Sequence, residues 1–571
     1  MAAVCALFLL GIFSTEIADT DFWWHLKTGQ YVFEQHKLPV PDPFSYTSNL
    51  GEPSYPGEEN IRYFNLTHEW LAQLVWYVIY AMGGFPALVI WKALLLSFVC
   101  GAAGYLAARR SKNFHVGIVA SLAGVPILSL FAADRPALVS FALVAAFVVI
   151  LESYREGGRL AWIWLLVPLQ WIWANSHGGF FLGWVVLGAY AAGGWSLPPA
   201  RSKNLWIVAA VSVLASGLNP SGFRVFEILL AYRQSFLTRT LIEWKQPFLW
   251  GPPYSFNLLL YATAASFVLA WKKVRLADAL LFVAFGSASL LAFRNVGFIA
   301  FLAPILLAAY AWPLIANQAD RVIPRLRGKT LDIGFLVGIG ALCIQQGWAG
   351  NLYQLRVAEW KFPVGAANFL KENQVETPIF NTYEYGGYLI WSLWPQQQTF
   401  IDGRALNESV YNDYRNILYD QASSPEQSRR ARARLLDRYG IQIVVANAFE
   451  FVSGAVYPIT LALGHTSDTD WQLVYQDAQA LVYARDVPEN HALIDQHAIS
   501  KTRVGDHLES ACRTYIEHDP ELPNCARTLG LIFSTAGERE RAREALALYL
   551  GKIDYPDAEA QRIYRSLSGN R

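Results

Sequence analysis

Charge is scarce in this 571-residue chain: 16% of residues are charged and 54% are hydrophobic. That balance excludes three or four ordinary soluble domains laid end to end. Neither sign is in excess, since 46 Lys+Arg against 45 Asp+Glu leave a net charge of +1. Composition therefore points neither to a basic nucleic-acid-binding surface nor to an acidic solvating tail. Cysteine is rare too. Five in a chain this long exclude a disulfide scaffold. Cys5, Cys100 and Cys343 lie in apolar stretches without CxxC or metal-ligand spacing, so only Cys512 and Cys525, in the polar C-terminal part, are left as a pair. No P-loop, Rossmann glycine pattern, GxSxG elbow or HExxH motif occurs, which argues against nucleotide-dependent and hydrolytic chemistry.

Apolar runs dominate instead. A membrane-crossing helix needs about 20 mostly apolar residues, and about eleven stretches approach that length. They lie at 1–15, 86–108, 114–132, 137–151, 160–175, 180–197, 204–218, 256–271, 277–292, 296–317 and 330–348. The first has no basic leading region and no small-residue cleavage pattern, so it reads as a clipped or mis-started anchor and not as a cleaved signal peptide.

Lys and Arg near helix ends stay on the cytoplasmic side. Every second connection is basic: Arg109, Arg110 and Lys112; Arg155 and Arg159; Arg201 and Lys203; Lys272, Lys273 and Arg275; Arg321, Arg325, Arg327 and Lys329. The connections between them then face outward. These carry Asp19 and Asp21, Asp134-Arg135-Pro136, Asn175-Ser176-His177-Gly178, Asn219-Pro220, Glu243-Trp244 and Arg294-Asn295. Two are long. The stretch 16–85 holds an amphipathic aromatic run from Asp21 to Phe33 and a helix-like run from Glu69 to Ala81, ended by Gly83-Gly84-Phe85-Pro86; 219–255 holds Trp244 and Trp250. Both suit the membrane interface.

After Trp348 the composition becomes that of an outside soluble region. Strand-type runs appear at Pro378–Asn381, Tyr388–Leu393, Thr399–Asp402, Ile441–Asn447, Trp471–Tyr475 and Ala480–Tyr483, with a helical pattern at Ser428–Tyr439. Tyr385-Gly386-Gly387-Tyr388 and Asp402-Gly403-Arg404 read as tight turns beside strands, with Asp402 and Arg404 an internal ion pair. From about His507 paired helices follow, Glu538–Leu550 the clearest; they suggest a TPR-like tail suited to a protein partner. The expected division is a membrane domain over 1–350, an α/β domain over 351–500 and a helical tail over 501–571.

Asp19-Thr20-Asp21, followed at once by Phe22-Trp23-Trp24-His25, is the sharpest chemical feature. Two carboxylates one residue apart where water meets lipid can share a divalent cation, or leave one of them with a raised pKa as a base. An ordinary loop acid does no more than stay hydrated. The ordered set D-x-D-F-W-W-H-L-x-x-G, A-N-S-H-G-G, L-N-P-x-G, E-W, F-R-N, G-G-Y-L-I-W and F-I-D-G-R, over residues 16–485, resembles bacterial GT-C-like membrane proteins. The GT-C superfamily comprises polytopic glycosyltransferases. The run Asp21 to His25 is also similar to the acid-aromatic-aromatic stretch of oligosaccharyltransferase catalytic subunits.

The resemblance implies a polytopic α-helical membrane protein of the bacterial inner membrane, GT-C-like, with about 11 transmembrane helices, a periplasmic C-terminal α/β domain and the TPR-like tail. It implies inverting transfer of a sugar from a polyprenyl-phosphate or diphosphate donor, among membrane lipids, to a periplasmic glycan, lipid or protein. No nucleic acid takes part. Asp21, or Asp19, would take the acceptor proton, and Arg294, Arg135 or His177 would hold the lipid phosphate. His25, Glu69, Asn175 and Glu243 would line the same site. A divalent cation, Mg2+ or Mn2+, is an option for Asp19, Asp21 and Glu243, not a requirement.

Ordinary explanations stand beside these. Arg135 before Pro136 can be a positional anchor, His177 a helix entry, and Glu69 a first-turn carboxylate favoured by the helix dipole. Arg294 is harder to explain so, because a charge at the membrane edge is costly without a partner. Glu243, in Thr240-Leu241-Ile242-Glu243-Trp244, loosely resembles the T-I-x-E motif of oligosaccharyltransferases, from which Leu241 departs. Their W-W-D motif is absent, which weakens any case for a peptide Asn acceptor. Two other function classes remain open. A transporter or flippase would place its polar groups near the bilayer midplane, and a non-catalytic scaffold would act through the tail.

Overall fold

The computed structural model describes residues 1–232, 242–316, 329–419, 424–450, 453–520, 522–553 and 555–568. Arg321, Arg325 and Arg327 of the last basic connection, and Thr240 and Leu241 of the Glu243 motif, lie outside the described residues. Two compact units emerge: Met1–Val40 with Tyr55–Val357, and Pro41–Ser54 with Ala358–Arg571.

The first unit is helical. All eleven apolar stretches carry helix over their described residues. Among the described residues, five helical segments are long and apolar enough to cross a membrane: Glu58–Ser111, Phe114–Phe131, Ala137–Arg155, Phe293–Tyr310 and Lys329–Trp348. Shorter apolar helices run over Ala2–Phe13, Leu160–Ala174, Tyr254–Leu269 and Leu276–Leu291.

Four opening helices frame the acidic motif: α1 (Ala2–Phe13), α2 (Phe22–Gln35), α3 (Glu58–Thr67) and α4 (Trp70–Ser111). Within α4, Gly84 takes φ 65° and ψ −160° ahead of Pro86, a conformation open mainly to glycine. The direction therefore breaks where the sequence marked the end of its helix-like run. At Gly29 of α2 an added Cβ would meet the Gln73 carbonyl oxygen at 2.0 Å. The two helices thus approach backbone to backbone, and Gln73 Nε2 comes within 3.1 Å of His25 Nδ1.

In the second unit a four-stranded sheet has the order β1 (Ile379–Asn381), β2 (Ile443–Asn447), β4 (Ala480–Arg485), β3 (Trp471–Gln476). β1 and β2 are parallel and the other pairings antiparallel. Continuous burial of β1 and β2 matches their unbroken apolar runs. Two expected strands differ. Tyr388–Leu393 belongs to a helix, Tyr383–Leu393, and Thr399 forms only an isolated bridge with Ser45. A short apolar run fits either period. Gly386 serves close approach and not a turn, since an added Cβ would lie 2.1 Å from the Ile401 carbonyl oxygen.

The strip Pro41–Ser54, which the sequence placed in the first loop of the membrane domain, packs in the second unit. Its anchor is Asp42. Arg404 donates through Nη1 to Asp42 Oδ1 (3.0 Å) and through Nε to Asp402 Oδ1 (2.7 Å), and all three side chains are buried. Ser45 and Ser48 complete the network by donating to Asp402 and Asp42 at 2.7 and 2.6 Å.

The tail is four helices, Val504–His518, Asn524–Thr535, Arg539–Leu550 and Ala558–Ser568. Leu508, Phe533 and Leu546 share one core with Val444, Leu473 and Tyr483 of the sheet, so 351–500 and 501–571 are joined by packing. Cys512 and Cys525 are disulfide-bonded.

Glu384 opens the Tyr383–Leu393 helix. Its Oε1 accepts from the Tyr457 hydroxyl at 3.1 Å, while its Oε2 is buried with no hydrogen-bond partner among the described residues. Burial pushes this carboxyl from 4.5 up to about 7. Folding thus favours the protonated form: the destabilisation is absent below the unfolded value, grows as pH rises, and is complete above about pH 7. Glu384→Gln keeps an acceptor for Tyr457 and never charges. Thermal unfolding of the full chain in detergent should find it more stable than wild type at about pH 8 and indistinguishable near pH 4.

Candidate active site

Beyond α1 the chain runs extended, and Ile17 pairs in parallel with Val357. The Asp21 amide then donates to Asp19 Oδ1 at 2.9 Å, and Asp21 immediately precedes α2. Both carboxylates meet Arg135, which precedes Pro136 at the start of helix Ala137–Arg155. Its Nε donates to Asp19 Oδ2 (2.5 Å) and its Nη2 to Asp19 Oδ1 (3.0 Å), while Nη2 lies 3.1 Å from Asp21 Oδ2. The grip on Asp19 is bidentate and that on Asp21 is single.

The two acids therefore differ. Burial would raise both. At Asp19 the Arg135 guanidinium overcomes burial and holds the carboxyl below its ordinary value. At Asp21 burial prevails and pushes the group up to about 6, with Arg135 opposing and the charges of Asp19 and Glu243 adding to the rise.

A second cation joins this group. Arg294 Nη1 lies 3.3 Å from Glu243 Oε1, and its guanidinium stands 4.7 Å over the Trp244 ring. A hydrogen bond from the Phe293 amide to the Lys245 carbonyl (2.9 Å) docks the two connections on each other. The Glu243 charge acts on both Asp21 and Arg135, so both acid–guanidinium pairs share one electrostatic field. A third of the Arg294 side chain remains exposed (33%), as does that of Arg135 (37%).

Glu69 collects three imidazoles. His25 Nδ1 is 3.5 Å from Oε2; His68 Nε2 and His177 Nε2 are 3.3 and 4.0 Å from Oε1. The Gly179 amide donates to His177 Nδ1 at 3.1 Å, which leaves the proton of the neutral ring on Nε2, toward Glu69. Burial drives His177 down to about 3, opposed by Glu69 and aided by the Arg294 charge. It drives His25 down to about 4. Both rings are neutral donors or acceptors near pH 7.

Asn175, beside Trp70, holds chain segments together. Its Oδ1 accepts from Trp70 Nε1 (2.9 Å), and its Nδ2 donates to the Trp171 and Leu218 carbonyls (2.9 and 3.0 Å). The amide is fully engaged in joining three segments. Asp19, Asp21, Arg135, Glu243, Arg294, His25, Glu69 and His177 do converge. Sequence reasoning missed Gln73 and Ser140; the latter lies 2.7 Å from His177 Nδ1. No spacing links positions 25, 68 and 177.

As arranged, the acids do not fit a metal ion. Asp19 presents both oxygens to Arg135, Glu243 meets Arg294, and among the described residues no three His, Cys, Asp or Glu side chains are disposed to hold one.

No protein-family model and no curated protein matches the sequence. Solved structures do. The archaeal oligosaccharyltransferase AglB from Archaeoglobus fulgidus, in complex with an inhibitory peptide and a dolichol-phosphate, superposes with a TM-score of 0.52 at 12% identity, covering 86% of this chain and 74% of that one. The same enzyme in complex with Zn and sulfate gives 0.50 at 12% identity, covering 86% and 74%. ArnT from Cupriavidus metallidurans bound to undecaprenyl phosphate gives 0.43 at 14% identity, covering 85% and 96%, too low a score to add to the assignment. At such identity the likeness concerns fold: a multi-pass, helical membrane architecture shared with the oligosaccharyltransferase.

Proposed function

We propose, from the premise of a GT-C membrane fold, that this protein transfers a sugar from a polyprenyl-phosphate or diphosphate donor to an acceptor outside the cytoplasm. One observation carries the reading: a carboxyl raised toward neutrality, Asp21, sits beside the partly open Arg135 guanidinium and feels the charge of Glu243, which in turn pairs with the partly open Arg294. The dolichol-phosphate bound by the archaeal fold neighbour supports a polyprenyl-phosphate as the lipid carrier.

In this reading Asp21 takes the proton of the acceptor hydroxyl or amide as its oxygen or nitrogen bonds to sugar C1. The C1–O bond to phosphate breaks, and its electron pair leaves on the polyprenyl phosphate, or diphosphate. The two arginines offset that charge. Asp19 keeps Arg135 in place. A single displacement inverts C1. His25, His177 and Glu69 supply neutral and anionic partners for sugar hydroxyls.

The site and the second unit are assigned to the periplasmic side of a bacterial inner membrane. The alternation of basic connections supports this, as does the Cys512–Cys525 disulfide, since such bonds persist in oxidising compartments. The tail as a surface for a protein partner belongs to the same proposal.

The test uses the full chain in lipid nanodiscs with a panel of farnesyl-phosphate-linked hexoses and pentoses and a panel of glycan, lipid and peptide acceptors to receive the sugar, following acceptor-dependent release of farnesyl phosphate. Arg294→Ala should raise the donor KM about tenfold or more, the loss of one charge-assisted contact, with a smaller change in kcat. An unchanged donor KM removes Arg294 from the site.

A further inference from the structure

Lys92 is a lone cation in the apolar part of α4, 1% exposed, and its partners are not on its own helix. Its Nζ donates to Asp134 Oδ2 at 2.9 Å and to the Thr15 carbonyl at 2.9 Å; Asp134 is itself 2% exposed. A lysine buried within a membrane helix is expensive, and replacing such a pair by apolar side chains is often neutral or stabilising. Stability alone is therefore a poor reason for it.

Its position suggests another. Thr15 is four residues before Asp19, on the segment leaving α1, and Asp134 is the residue before Arg135. One ammonium thus ties together the two backbone segments whose next side chains, Asp19 and Arg135, form the bidentate pair at 2.5 and 3.0 Å. We propose that Lys92 is a positioning residue: by joining the α1 exit to the 134–135 turn, it sets the Asp19–Arg135 register and with it the place of Asp21. This rests on the glycosyltransferase reading for its catalytic consequence, but the register itself is a property of the folded chain.

The geometry explains why a cation with several protons serves here. An ammonium has three donors, of which two hold the Thr15 carbonyl and Asp134. An apolar residue could fill the space but could not join the two segments. The link acts at one remove, through backbone, so no contact between Lys92 and substrate is implied.

The test has two arms, both on the full chain in nanodiscs. In the first, a water-soluble carbodiimide with an amine nucleophile labels accessible carboxyls, and Asp19 labelling is read by mass spectrometry. Lys92→Met should raise Asp19 labelling about fivefold or more, because Arg135 no longer covers both oxygens, and Lys92→Arg should restore protection. If Lys92→Met fails to fold, Lys92→Met/Asp134→Leu leaves no uncompensated charge and should show the same rise. Wild-type labelling in the folded apolar variants overturns the proposal.

The second arm measures farnesyl phosphate release with the same donor and acceptor panels. The apolar variants should lose about tenfold to a hundredfold in kcat, and donor KM should rise as well, because Arg135 is displaced with Asp21. Asp21→Asn is run beside them. Full activity in Asp21→Asn defeats the glycosyltransferase assignment while leaving the labelling result standing. Loss in Asp21→Asn with unchanged kcat in the Lys92 variants defeats the positioning role alone.

Discussion

Asp21→Asn is expected to lower kcat for sugar transfer by about two to four orders of magnitude, the usual contribution of a positioned general base. Asparagine keeps the size of the side chain and its place at the start of α2, but it cannot take a proton. Binding of farnesyl phosphate to the full chain should change little, because phosphate is assigned to Arg135 and Arg294. The same residue sets the pH dependence. Burial raises Asp21 to about 6, and a base must be ionised to act. The rate should therefore be near its plateau at about pH 7.5 and fall roughly tenfold for each unit below about pH 6. Steady-state kcat/KM across this range checks the sign. A wild-type profile flat through pH 6, or a variant with undiminished turnover, rules Asp21 out as the base.

Arg404→Ala should produce the largest loss of stability, about 3–5 kcal/mol, because it leaves the carboxylates of Asp42 and Asp402 buried without their cation. Burial alone would raise Asp402, yet Arg404 holds it below its ordinary value. Stability from Asp402 is thus present above the unfolded carboxyl pKa of about 3.9 and is lost as pH falls through the lower folded value. Removing Arg404 removes that contribution and frees the strip 41–54, which Asp42 anchors. Thermal unfolding of the full chain should show a lower transition for the second unit, with new proteolytic cleavage within 41–54. A variant with wild-type unfolding and no new cleavage would mean that the serine hydroxyls alone satisfy Asp42 and Asp402.

The Arg404 cluster also shows the limits of reading the chain alone. Asp402 and Arg404 are two residues apart, and their pairing was legible. Asp42 comes far earlier, and nothing local reveals that a strip of the first long loop crosses into another unit. β1, β2, β3 and β4 were legible as apolar runs of the right length. Tyr388–Leu393 was not, because a glycine pair suggests a turn until the close approach of Gly386 to Ile401 is seen. At the site, Asp19, Asp21, Arg135 and Arg294 stood out as charges at the ends of apolar helices. Lys92 left only a weak trace, a single basic residue inside an apolar run. The engagement of Asn175 in three hydrogen bonds left none.

Local chemistry by itself determined where the apolar helices lie, that acids follow the first of them, and which two cysteines pair, since each depends on composition over a few neighbouring residues. Tertiary structure alone decided which aspartate is held below its ordinary pKa and which is pushed above it. That difference arises from the distances of Arg135 and Glu243 to two otherwise identical carboxyl groups, and those distances exist only once segments more than a hundred residues apart have been brought together.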